Sequence, residues 1–93
     1  MTAQQRHAYA WLRETSTVLR TRYKDLPKRL FWETEAPHKV RETVFDTLDA
    51  MDTTLRGLHY YSSPLALAVA DTRLVRMCEK LDDIATTYGI KIA

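Results

Sequence analysis

The sequence predicts an all-α protein, an up-down-up antiparallel three-helix bundle that dimerises. Three observations carry this expectation. The 93 residues hold only two glycines and three prolines, too few turn-formers for an all-β fold. Apolar residues recur at alternating spacings of three and four, the signature of one helix face. These stripes fall into three long segments, at about residues 3–25, 37–57 and 64–88 of a single helical domain covering 1–93. Apolar residues are 45% and charged residues 28%, a globular and not a disordered balance.

In the first segment Ala8, Leu12, Thr15, Leu19, Arg22 or Tyr23, and Leu26 form the stripe, widened by Trp11 and Val18. Pro27 ends it, because proline lacks a donor and disfavours helix at the preceding residue. Residues 26–36 then read as a connection containing the cluster Leu30-Phe31-Trp32. In the second segment Pro37 stands in the first turn, where a missing N–H is harmless. Val44, Leu48, Met51, Leu55 and Leu58 follow as its stripe. Its end is read either as a cap at Gly57 or as a passage through Gly57 to Tyr61. The third segment has the clearest start, with Ser63 as N-cap and Pro64 as first residue. Leu67, Ala70, Leu74, Met77, Leu81, Ile84 and Tyr88 keep a heptad pattern, and Gly89 is the stop, with Ile90 packing back over the last turn.

Two apolar features exceed what a bundle stripe needs. Leu65 to Ala70 are six consecutive apolar residues and so cover every face of nearly two turns. Cover can come from Ala8, Ala10 and Trp11 near the N-terminus or from a second chain; otherwise the alanines stand in water. Leu30-Phe31-Trp32 either plugs the end of the bundle or anchors a partner, as aromatic residues do at binding hot spots. The candidate protein interface is therefore Leu65, Leu67, Ala68, Val69, Phe31 and Trp32.

Charge is unevenly distributed. Residues 6–29 carry seven basic and two acidic residues, and residues 33–52 carry six acidic and two basic. Arg6, Arg13, Arg20 and Lys24 form a basic ridge opposite the first stripe, and Glu42, Asp46 and Asp49 an acidic ridge on the second helix. The basic ridge is a solvated face, a dock for an acidic protein surface (another copy included), or a contact for nucleic-acid phosphates. No helix-turn-helix pattern supports the last.

Chemistry is sparse. Cys78 is the one cysteine, which excludes an internal disulfide and fits a reducing compartment. Glu35, His38 and Glu42 have one Glu-x-x-His spacing, where di-iron bundles use two. No catalytic triad or glycine-rich phosphate loop is present. There is no apolar signal region and no window long enough to span a membrane. The reading is thus a cytoplasmic protein–protein interaction module with a regulatory, adaptor or inhibitory role, without cofactor or enzymatic activity. The alternatives are a nucleic-acid-binding accessory protein using the basic ridge and, third, an all-α enzyme with a site formed across a dimer.

Overall fold

A computed structural model of the chain describes residues 2–59 and 62–92; Tyr60 and Tyr61, one of the two expected ends of the second helix, lie outside them. Among the described residues four helices follow in order: α1 (Ala3–Tyr23), α2 (Leu26–Glu33), α3 (His38–Arg56) and α4 (Pro64–Thr87). Among the described residues there is no strand. The all-helical expectation holds, but the architecture is three long helices and one short one.

Helix α1 starts in a capping box. The Gln5 N–H donates to Thr2 Oγ1 at 3.1 Å and the Thr2 N–H donates to Gln5 Oε1 at 2.8 Å, satisfying two orphan donors at once. Of its expected stripe, Ala8 and Tyr23 are buried in α1 and Leu26 in the next helix; Trp11, Leu12 and Leu19 are half-buried against the core.

Helix α2 corrects the reading of residues 26–36 as a connection. Pro27 does separate two segments, but it stands in the first turn of a new helix instead of ending the old one. Leu26, Pro27 and Leu30 form its buried face. Eight residues give one repeat of the helical period, too few for a pattern to stand out in sequence. Thr34 turns extended and closes the helix, its hydroxyl donating to the Leu30 carbonyl at 2.6 Å.

Helix α3 begins just after Pro37 and buries Val44, Thr47, Met51 and Leu55. Its end is capped at Gly57, whose N–H donates to the Thr53 carbonyl at 3.1 Å. In α4, Ser63 accepts from the Ala66 N–H at 3.1 Å, and Leu67, Ala70, Leu74, Leu81 and Ala85 turn inward. Gly89 has φ +73°, and the Ile90 N–H donates back to the Ala85 carbonyl at 2.8 Å, closing a Schellman-type end. The tail does not fray away: Ile90 is buried in the core and Ile92 packs against it.

The core joins Tyr23, Leu26, Leu30, Val44, Met51, Leu55, Leu74, Leu81, Ala85 and Ile90. Helix α3 packs on both α4 and α2, and α1 lies against α3 and α4. The principal extents, 50 × 20 × 16 Å, describe a rod barely two helices wide, since one helix with its side chains is ~10–12 Å across. A body this narrow leaves most helix faces at the surface.

Leu30 is fully buried, so Leu30→Ala is expected to lower the unfolding free energy in urea by about 2–5 kcal/mol. Gly89→Ala is expected to cost about 1 kcal/mol, because the left-handed backbone penalises a Cβ even where space is open.

Candidate functional site

The buried face of α2 determines what its other face presents. With Leu26, Pro27 and Leu30 inward, Phe31 and Trp32 stand 53% and 73% exposed. Their rings meet edge to face, 4.9 Å between centroids and 88° between planes, a geometry worth about 0.5–1.5 kcal/mol. The Arg41 guanidinium of α3 lies 4.7 Å above the Phe31 ring and steadies it by cation–π attraction. Arg41 Nε is buried with no hydrogen-bond partner, so the ring is the contact this cation does make. The sequence cluster is therefore divided: Leu30 is the plug, while Phe31 and Trp32 form a fixed aromatic pair in water.

The run Leu65–Ala70 is divided in the same way. Leu67 and Ala70 are buried, whereas Leu65 and Val69 remain 74% and 45% exposed. Leu67 must be removed from the candidate interface. It continues the inward heptad of Leu74 and Leu81, and with Ala68 it shares a groove lined by His7 and Trp11 of α1. The N-terminal half of α1 is thus the cover for the inner side, although Ala10 itself is exposed. Ala68 is exposed at the edge of that groove. On the opposite side, Leu65 and Val69 border an open groove with Thr53, Gly57, Leu58 and Arg73.

Arg6, Arg13, Arg20 and Lys24 are all exposed on α1. Arg20 lies 3.7 Å from Asp52, an exposed pair of little energetic value. Asp52 also pairs with Arg56, whose Nε lies 2.9 Å from its Oδ2. His38 Nε2 and Glu42 Oε1, one turn apart, are 2.9 Å apart. Among the described residues no group of three side chains is placed to hold a metal ion.

Sequence reasoning missed a polar knot between α1 and α4. The buried Tyr23 hydroxyl donates to Asp82 Oδ1 at 2.8 Å and accepts from Arg22 Nε at 3.1 Å. Arg22 Nη2 also reaches Asp82 Oδ1 at 3.3 Å. The partners are 59 positions apart, and nothing local signals the pairing. Burial pushes the Tyr23 phenol well above its ordinary range, with the hydrogen bonds to Asp82 and Cys78 adding to the shift and Arg22 opposing it. Burial also pushes the Cys78 thiol up, which keeps it in the unreactive protonated form. The knot holds protons tightly and serves as a structural clasp.

No family model, curated protein or solved structure matches this chain.

Because the folded state favours protonated Tyr23, the stability this group contributes is complete below about pH 10, the ordinary tyrosine value, and is lost as pH rises beyond it. Urea titrations at increasing pH are expected to show stability falling above that point, with a shallower fall in Tyr23→Phe.

Proposed function

We propose that this chain is a small helical interaction module that acts on another protein by contact, in a regulatory, adaptor or inhibitory role in the cytoplasm. In this reading it is an up-down-up antiparallel bundle and works as a dimer. The observation that carries the reading is the aromatic pair Phe31–Trp32, held in water on a helix whose other face is locked into the core. Large apolar side chains kept rigidly exposed lose little conformational freedom on binding and bury much area, the character of hot spots. The topology is supported by two registers. Gln4, His7 and Trp11 line a groove with Pro64, Leu67 and Asp71, while Tyr23 meets Asp82. Both registers are those expected where α1 and α4 run the same way with α3 returning between them.

A second reading rests on the basic ridge, because Arg13 and Lys24 are exposed and enter none of the ion pairs among the described residues. Such a ridge suits nucleic-acid phosphates.

Affinity capture from the native host tests the first reading against the second. Trp32→Ala is expected to leave stability within about 0.5 kcal/mol, as an exposed substitution does, and to weaken partner capture by about 2 kcal/mol or more. Equal capture by wild type and Trp32→Ala contradicts the first reading. Tight binding of DNA or RNA at low salt that disappears in an Arg13→Ala, Lys24→Ala double variant establishes the second.

A further inference from the structure

The geometry points to a second copy of this chain as the occupant of the α3–α4 face, seated about a two-fold axis that runs along the helices. The inference supplies the interface for the dimer proposed above.

Two rows of residues carry it. On α3, Asp46, Asp49, Thr53 and Gly57 follow at spacings of three, four and four, one ridge of a helix. On α4, Leu65, Val69, Arg73 and Arg76 follow at four, four and three, again one ridge. The open groove brings Thr53 and Gly57 to the side of Leu65, Val69 and Arg73. The two helices leave their connecting turn in opposite directions. Gly57 is thus level with Leu65, Thr53 with Val69, Asp49 with Arg73 and Asp46 with Arg76. One half of this face is apolar and open; the other has an acidic row beside a basic row.

Among the described residues neither row is neutralised. Asp46, Asp49, Arg73 and Arg76 are exposed and enter none of the ion pairs of the described residues. Leu65 and Val69 are likewise uncovered. At Gly57 an added Cβ would meet only the carbonyl oxygens of Thr53 and Thr54 at 3.6 Å, so this point of the ridge is bare and low.

The charge pattern selects the symmetry. An isologous pair sets the same patch against itself. A two-fold axis across the helices would lay α3 antiparallel on the partner's α3 and set the charged end of each copy against the apolar end of the other, leaving both charged rows unneutralised. An axis along the helices lays α3 of each copy on α4 of the other at the same level. Asp46 and Asp49 then face Arg76 and Arg73 of the other copy. Leu65 drops onto the bare Gly57 and Val69 lies against Thr53. Every contact occurs twice, the apolar end supplying burial and the charged end fixing register and orientation.

The experiment is a charge-reversal exchange read by light scattering coupled to size exclusion. Asp46→Arg with Asp49→Arg gives an all-basic face, and Arg73→Asp with Arg76→Asp an all-acidic one. Wild type is expected to be a dimer at ~100 µM, well above a micromolar Kd, and to dissociate more readily in 1 M salt, where screening acts within ~3 Å. Each reversed variant is expected to dimerise at least ~100-fold more weakly, because like charges are brought together. Mixed in equal amounts, the two variants are expected to recover a 1:1 heterodimer. A monomeric wild type, a dimer indifferent to salt, variants that dimerise as wild type does, or a mixture that stays monomeric overturns the inference. None of these substitutions touches Phe31 or Trp32, so partner capture can fail or succeed independently of this result.

Discussion

Leu26, Pro27 and Leu30 are the fixed point of the structure. An eight-residue helix cannot persist in water on its own, since isolated helices below ~12–15 residues are marginal. Helix α2 exists because Leu26 and Leu30 enter the shared core beside Tyr23, Val44 and Ile90, each large apolar side chain contributing ~1.5–3 kcal/mol on full burial. Arg29 ties α2 down as well. Arg29 Nη1 donates to the Lys91 carbonyl at 2.7 Å while its Nε donates to Glu33 Oε2 at 2.7 Å, joining α2 to the C-terminal tail. With the inner face so determined, the helical period leaves Phe31 and Trp32 nowhere to point but outward.

The rod as a whole is constrained in the same way. A body 20 × 16 Å in section shelters one stripe per helix and little more. Helix α4 uses its stripe fully, from Leu67 to Ala85, so Leu65 and Val69 fall on a side that no helix of the same chain covers. Helix α1 is held differently. It buries few side chains outright and depends on Tyr23 at its end, where a polar clasp completes what apolar contact begins. The chemistry of that clasp suits architecture, because a phenol and a thiol both held protonated are poor nucleophiles and poor bases.

Much of this was legible in the residues. The Ser63-Pro64 start and Gly89-Ile90 stop of α4 announce themselves, because caps depend on local backbone needs that few residue types meet. The stripe of α3 and the heptads of α4 were visible for the same reason: regular spacing over many turns leaves little room for coincidence. What failed to show was whatever needed partners far away in sequence. Pro27 reads as a terminator until the hydrophobic demand of Leu26 and Leu30 is known to be met by α3 and the tail. Leu67 reads as surplus apolar surface until His7 and Trp11 are known to lie across from it. Tyr23 reads as one more stripe residue, and Asp82 as one more surface acid, until the fold brings them together. At the candidate site, the Leu30-Phe31-Trp32 cluster was visible but not its division, which is set by the orientation of a helix that the pattern was too short to reveal.

Whether the aromatic pair stands in water on a fixed platform is best decided by fluorescence of a Trp11→Phe variant, in which Trp32 is the remaining tryptophan. The account predicts red-shifted emission, efficient quenching by acrylamide and iodide, and an anisotropy showing that the indole turns with the whole molecule and not by itself. Blue-shifted emission resistant to quenchers would place Trp32 inside the bundle end as part of the plug and contradict the account.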